Sequence, residues 1–72
     1  MSKSHEHNII EATKQFDACF TAQEIYIVIL IDRSIRHKPP FRKVVWTLAR
    51  SKDLDKEKVH GTYIYWRTDK RK

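Results

Sequence analysis

Five side chains between positions 42 and 50 have types and a spacing that suit the binding of a polyanion. The set is Arg42, Lys43, Trp46, Thr47 and Arg50. At 100° per residue these positions share one side of a helix, opposite an apolar stripe. An arginine can bind guanine O6 and N7 with two hydrogen bonds, and a threonine can offer its methyl group to thymine or its hydroxyl to phosphate. The chemistry of this side fits the major groove of a duplex. The alternative is a solvated charged face.

Basic residues also lie just before this helix. Arg36, His37 and Lys38 precede it in the chain. They would stand beside the unpaired N–H groups and the positive dipole end of the helix, which together attract phosphate. We therefore predict phosphate contacts from Arg36 and Lys38.

A third basic group follows the helix. Lys56, Lys58 and His60 flank a turn, from which they could reach phosphates. Asp55 and Glu57 are interleaved with them, so a solvated polar loop is the alternative.

The net charge is concentrated in the second half of the chain. The 72 residues carry 15 Lys/Arg and 9 Asp/Glu, a formal net charge of +6. Residues 1–36 have four basic and five acidic side chains, which gives −1, whereas residues 37–72 have eleven basic and four acidic ones, which gives +7. This asymmetry predicts a polyanionic partner, most often nucleic acid, with an anionic membrane surface as the alternative.

The sequence argues against an enzyme or a metalloprotein. No glycine-rich phosphate loop can be drawn with the single Gly61, and no serine, cysteine or carboxylate pair stands in an activating arrangement. The histidines and the single Cys19 match no closed zinc-ligand spacing. We predict no catalytic activity, no metal and no cofactor. Cys19 is predicted to be a small core residue.

No segment of the sequence suits a membrane. The longest apolar run, residues 25–31, is far shorter than the roughly 20 residues that cross a bilayer. The first eight residues lack the apolar segment of a signal peptide. We therefore expect no membrane partner and an intracellular protein, either cytoplasmic and nucleoid-associated or nuclear.

The apolar run 25–31 must be assigned to a helix or to a buried strand. Five of its seven residues are β-branched, and its periodicity fits both. Thr21 and Glu24 decide the assignment, because they form a capping box in which each side chain can bond to the backbone N–H of the other. The sequence predicts a helix from Thr21 to about Arg33.

The remaining elements follow from caps, prolines and alternation. Pro39 and Pro40 end a turn, and Pro40 suits the first position of a helix. His60-Gly61 marks a hairpin turn. The predicted elements are a helix over residues 4–16, an extended link over 18–20, helices over 21–33 and 40–51, and strands over 54–59 and 62–67, with frayed ends at 1–3 and 69–72. A chain of this length forms one domain.

Each predicted element must bury one face. The first helix is predicted to bury Ile9, Ala12, Thr13 and Phe16, and the helix over 40–51 to bury Phe41, Val44, Val45 and Leu48. In the second strand, Ile64 and Trp66 alternate with Tyr63 and Tyr65, and we predict that Ile64 and Trp66 face the core.

The helix over residues 21–33 is apolar on more sides than a small domain can cover. Either a sheet closes over the second face or a second copy of the chain does. A homodimer through helix 21–33 or helix 4–16 is therefore a hypothesis of the sequence.

The order of helix, strand stub, helix, turn, helix and hairpin resembles a winged helix-turn-helix domain. The resemblance is carried by CFTAQEIYIVILIDR, PPFRKVVWTLARSKDL and KVHGTYIYWRT. FTAQEIY is similar to the opening of the second helix in ferric-uptake-regulator-like and related repressors, and KVVWTLARSKDL is similar to their recognition helix. The sequence departs from the usual pattern by a Pro-Pro pair before the third helix and by Asp53 in place of the usual glycine after it.

The resemblance implies an α+β fold and sequence-specific binding of double-stranded DNA, usually to regulate transcription. It places helix 40–51 in the major groove and the hairpin 54–67, the wing, on phosphate or minor groove. Trp46 would either pack beneath the wing or contact DNA. Small size, basicity and a bare domain resemble the stand-alone regulators of plasmids, phages and archaeal viruses.

Two other functions compete with this one. Binding of RNA or single-stranded nucleic acid would use Trp46, Tyr63, Tyr65 and Arg67 as stacking and charged groups. A protein-docking winged helix would use the apolar second helix.

Overall fold

Three helices followed by a two-stranded hairpin make up the fold. The computed structural model describes residues 4–68, and the predicted frayed ends at 1–3 and 69–72 lie outside them. The elements are α1 (His5–Thr13), α2 (Ala22–Ile31), α3 (Phe41–Arg50), β1 (Leu54–Val59) and β2 (Thr62–Arg67). The helices precede a C-terminal antiparallel hairpin, which is an α+β layout that matches the winged-helix arrangement predicted from the sequence.

The first two helices begin at side-chain caps that the sequence predicted. The Ser4 hydroxyl accepts from the His7 N–H at 3.1 Å. The Thr21 hydroxyl accepts from the Glu24 N–H at 3.2 Å, while the Thr21 N–H donates to the Glu24 carboxylate at 2.8 Å. The helical assignment of the run 25–31 is therefore confirmed, since the capping box is complete.

All three helices are shorter than predicted. The first was predicted to reach residue 16, but it ends at Thr13, and residues 14–15 form a turn. The second ends at Ile31 because Asp32 takes an extended conformation, and its carboxylate accepts from both the backbone N–H and the hydroxyl of Ser34. Those two hydrogen bonds, with a smaller contribution from the charge of Lys38, lower the pKa of Asp32.

The hairpin turn is set by the conformation of two residues. His60 has φ 51° and Gly61 has φ 81°, the pair of positive values that a two-residue type I′ turn requires. The turn fixes a register in which Val59 faces Thr62 and Leu54 faces Arg67. The predicted strands and turn are confirmed.

The hairpin is attached to the helices through Phe20. Its N–H donates to the Tyr65 carbonyl at 2.8 Å and its carbonyl accepts from the Tyr65 N–H at 2.7 Å, so the predicted strand stub is confirmed. The two rings stack with centroids 6.3 Å apart, and the Phe16 ring lies 5.2 Å from that of Phe20. Phe20 thus links Phe16, which follows α1, to Tyr65 of the sheet.

This attachment buries the opposite face of β2 from the one predicted. Tyr65 is 3% exposed, whereas Ile64 and Trp66 are only half-buried, so the choice of Ile64 and Trp66 as core residues is wrong. Residues of a strand alternate between two faces, and the bridge to Phe20 turns the Tyr65 face inward.

Two other core predictions are also wrong. Phe41 is 44% exposed, because it lies at the first turn of α3 and meets Tyr26 edge-on at 5.3 Å instead of entering the core. Cys19 is exposed, on the link that places Phe20 in the core. The predicted burial of Ile9, Ala12 and Thr13 on α1 is confirmed.

Burial of Tyr65 makes the stability sensitive to alkaline pH. Desolvation, and secondly the neighbouring Tyr63, raise the pKa of Tyr65. The folded protein therefore holds this proton more tightly than the unfolded chain does. The corresponding stability is fully present below about pH 10, the value of an unperturbed tyrosine, and is lost as pH rises through the higher folded pKa.

We expect Tyr65→Phe to weaken this loss of stability in alkali. The free energy of unfolding should be measured with urea at several values between about pH 8 and pH 11. Tyr63→Phe is the comparison variant: Tyr63 is 46% exposed and is only the second cause of the raised pKa of Tyr65, so its removal should change the alkaline slope less than Tyr65→Phe does. Equal alkaline slopes in wild type and Tyr65→Phe would contradict the prediction.

Candidate nucleic-acid interface

The outward face of α3 carries a compact group of cations around one aromatic ring. Arg42, Trp46 and Arg50 are exposed and Lys43 is half-buried, while Val44 and Leu48 on the opposite side are fully buried. The amphipathic pattern of the sequence therefore predicted the orientation of these residues correctly. We call the surface formed by Arg42, Lys43, Trp46, Ala49 and Arg50 the recognition face.

Trp46 holds two of these cations in place. The Lys43 ammonium lies 4.3 Å from the centre of the indole, and the Arg50 guanidinium carbon lies 4.5 Å from it. Both distances are within the range of cation–π attraction. The ring is 44% exposed, so it is a platform on the surface. The contact with this ring already restricts the Arg50 side chain, so Arg50 loses less conformational freedom when it binds a partner.

The predicted outward position of Thr47 is wrong. Thr47 is only 5% exposed, and its hydroxyl has no hydrogen-bond partner within residues 4–68. At 100° per residue Thr47 lies at the border between the two sides of α3, and α1 packs there: Thr47 lines a cleft together with Ile10 and Glu6 of α1. Its hydroxyl therefore does not belong to the exposed face.

We expect Thr47→Val to stabilise the protein by about 1 kcal/mol, because it removes a buried hydroxyl that makes no hydrogen bond. Binding to nucleic acid should not change. Thermal unfolding and a binding isotherm would check both statements. A loss of stability would show that the hydroxyl is hydrogen-bonded in solution, and a loss of affinity would return Thr47 to the interface.

Lys38 has a structural partner that the sequence did not reveal. Its ammonium donates to the Ile29 carbonyl at 3.0 Å and to the Asp32 carbonyl, each of which also accepts a backbone N–H, so it adds a second hydrogen bond to carbonyls at the end of α2. The prediction that Lys38 is available for phosphate does not fit this geometry. Arg36 and His37 are both exposed beside it.

Replacing Lys38 with methionine should lower the free energy of unfolding by about 1 to 2 kcal/mol, since a cation at a helix C-terminus and its hydrogen bonds are lost. Urea denaturation would measure the change. Arg36→Met is the matched control, as an exposed cation two residues away, and should have little effect. Equal stability of the two variants would mean that the Lys38 contacts contribute nothing.

The strand register separates the charges of the wing onto two faces. Lys56 faces Tyr65 and Lys58 faces Tyr63, with each ammonium near the Tyr63 ring, at 5.5 and 5.8 Å. Cross-strand partners point to the same side of a sheet, so these residues share the side on which Tyr65 meets the core. The interleaved charges of β1 are thus not mixed on one surface.

Asp55 and Glu57 lie on the other side of the hairpin, opposite Trp66 and Ile64. His60 is exposed at the tip. The wing therefore has a basic side with the half-exposed Tyr63 and an acidic, partly apolar side. Only the basic side has the charge to touch a polyanion.

Three residues of this region were not among the predicted contacts with double-stranded DNA. Ala49 is exposed two turns after Arg42 on the same side of α3, and the helical spacing of positions 42, 46, 49 and 50 could have identified it. Tyr63 is placed between the two wing lysines by the register. Glu6 of α1 lies 3.6 Å from the Lys43 ammonium, and no local pattern in the sequence indicates this contact.

Two further kinds of site concern residues 4–68, the part of the chain that the structure describes. No three histidine, cysteine, aspartate or glutamate side chains of this range lie close enough together to hold a metal ion. No helix of the same range has the length and apolar character that crossing a bilayer would require.

The chain was also compared with known proteins. No protein family matches it, and no curated protein or solved structure is significantly similar to it.

Proposed function

We propose that this protein binds double-stranded DNA in a sequence-specific manner and regulates transcription. The observation that carries the proposal is the recognition face of α3, on which Arg42 and Arg50 flank an exposed Trp46 while the opposite side of the helix is anchored in the core. A rigid helix with such a face fits the major groove, which is about 12 Å wide.

The roles of the residues follow from their chemistry. Arg50 is held against Trp46 and can bind a guanine edge with two hydrogen bonds. Ala49 allows the helix to approach the bases closely, and its methyl group can meet a thymine methyl. Arg42 and Lys43, at the start of α3, are suited to phosphate or to a second base. Arg36 lies just before them.

The wing supplies positioning contacts. Lys56 and Lys58 share its basic side with Tyr63, and His60 is at the tip. Contacts of lysine with phosphate carry no sequence information, but they fix the register of a protein on the duplex and release counterions. Asp55 and Glu57, on the other side, would point away from DNA.

A second candidate function is binding of single-stranded nucleic acid. The favouring observation is that Trp46 and Tyr63 are 44% and 46% exposed and that each ring has two cations beside it. Exposed aromatic rings beside positive charge are the stacking platforms that such proteins use. Duplex binding is preferred because the basic groups of α3 follow one helical face.

Selection of bound duplexes from a random pool would test the proposal. A recovered consensus is expected, and the selected duplex should compete better than a single strand of equal length. Arg42→Ala should weaken binding, whereas Lys14→Ala, which removes a cation paired with Glu11 on α1, is the matched control and should not. Recovery of no consensus together with preferred binding of single strands would favour the second candidate. No binding to either would overturn both.

Regulation of transcription would follow from occupation of a DNA site. A small domain that occupies its site can block or recruit polymerase, and the setting we propose is a regulator of a plasmid or virus in the cytoplasm or nucleus. A reporter gene placed behind the selected site should respond to the wild-type protein and not to Arg42→Ala.

A further inference from the structure

An apolar patch on the outer side of α2 is left uncovered by the rest of the described chain. Ile27, Leu30 and Ile31 are 49%, 45% and 72% exposed. On the inner side of the same helix, Ile25 and Ile29 are fully buried. These three residues are called the α2 patch below. Three neighbouring large aliphatic side chains on one helix face are more than scattered surface residues, and such patches mark interaction sites.

The elements that flank α2 leave this patch open. The Tyr26 side of the helix meets Phe41 of α3, and Val28, on the α1 side, lines a cleft together with residues of α1. The hairpin is joined to the helices by the bridge between Phe20 and Tyr65, and Phe20 precedes α2 in the chain. A partner can therefore reach the α2 patch without displacing any described element.

Charges at the two ends of the patch identify the partner. Glu24 lies in the first turn of α2, and Arg33 follows just after its end, exposed to solvent. An acidic group at one end and a basic group at the other make the surface complementary to itself when it is turned around. A two-fold axis that crosses α2 near its middle exchanges the two ends of the helix, and so brings Glu24 of one copy to the end that carries Arg33 of the other.

We propose that a second copy of this chain docks on the α2 patch, with the two α2 helices antiparallel about a two-fold axis. Ile27 of one copy then packs against Leu30 and Ile31 of the other, and the Glu24–Arg33 pair closes the interface at both ends. The helix α1 is not the contact, because none of its described residues is among the exposed large hydrophobic residues.

The size of the patch sets the strength of the dimer. Stable interfaces bury roughly 1,200 to 2,000 Å² in total, and three side chains from each copy supply only part of that area. The dimer is therefore weak in the absence of DNA, and it forms in the micromolar range or above. The recognition face stays open in this arrangement, because Trp46 and Arg50 lie on a different side of α3 from Phe41, which meets α2. The proposal itself does not depend on DNA binding.

Sedimentation velocity of the full chain without DNA would test the proposal, from about 10 to 500 µM. The weight-average sedimentation coefficient of the wild type should rise with concentration from monomer toward dimer. Ile31→Glu and Ile31→Lys should each stay monomeric, because two like charges would enter an apolar contact. An equimolar mixture of the two variants should associate again, since the two charges within the shared interface are then opposite. This rescue requires two copies of the same patch.

Val59→Glu is the matched control, because Val59 is a 37% exposed apolar residue on the hairpin, and it should associate as the wild type does. Circular dichroism would verify that the variants are folded. If the Ile31 variants do not fold, the charge-reversal variant Arg33→Glu should weaken association several-fold, because it places two carboxylates together. A monomeric wild type over the whole range, association of Ile31→Glu equal to that of the wild type, or no rescue in the mixture would each overturn the proposal.

Discussion

Replacing Phe20 with alanine should lower the free energy of unfolding by about 3 to 5 kcal/mol, the cost typical of removing a buried aromatic ring. Phe20 is 1% exposed, and its ring contacts both Phe16 and Tyr65. A domain of this size has a stability on the order of 5 kcal/mol, so the change would consume most of it. Urea denaturation followed by circular dichroism would measure the loss.

The same substitution should loosen the wing before the helices unfold. The backbone bridge between Phe20 and Tyr65 is retained in the variant, but the ring that packs against Tyr65 is gone. Amide hydrogen exchange in β1 and β2 should therefore accelerate more than in α2. Phe41→Ala is the matched control, because Phe41 is 44% exposed and, among the aromatic rings of residues 4–68, contacts only that of Tyr26; about 1 kcal/mol is expected there. Equal losses for both variants would refute the role given to Phe20.

Replacing Arg50 with alanine should weaken binding to the selected duplex by about 1 to 3 kcal/mol, or roughly tenfold to a hundredfold, with little effect on random duplex. Arg50 is exposed and is held over Trp46 at 4.5 Å, which presents its guanidinium to a base edge. Fluorescence anisotropy with both duplexes at one salt concentration would measure the difference.

A phosphate contact has a different signature from a base contact. Lys58→Ala should weaken selected and random duplexes alike and should reduce the slope of log affinity against log salt by about 1. Glu57→Gln, on the opposite side of the same strand, is the matched control and should leave the slope unchanged. Equal losses on both duplexes for Arg50→Ala would reassign Arg50 to phosphate, and an unchanged slope for Lys58→Ala would mean that the wing stays off the DNA.

The predictions for Phe20 and Arg50 concern two separate sets of residues, one in the core and one on the surface. The inner sides of α1, α2 and α3 and the Phe20–Tyr65 bridge form the core, and this core fixes where the recognition face and the basic side of the wing stand. Stability and binding are therefore carried by different residues of the same elements. Leu48 and Arg50, two positions apart on α3, are an example: the first is 1% exposed and the second is exposed.

The sequence by itself determined the features that depend on neighbours in the chain. The capping box of Thr21 and Glu24 made a helix of a run that periodicity could not assign, and the His60-Gly61 signal located the hairpin turn. The outward position of Arg42, Trp46 and Arg50 followed from helical periodicity. These features are local, because the groups that interact are at most four residues apart or share one helix.

The tertiary structure alone decided which of two equivalent faces is buried. β2 has apolar residues on both sides, and the bridge from Phe20 placed Tyr65 rather than Trp66 in the core. Thr47 is at the border of two sides of α3, and the packing of α1 buried it. Lys38 became a cap because the turn after α2 brings it back to the Ile29 carbonyl. In each case the deciding partner is distant in sequence or set by a turn, and so local patterns cannot specify it.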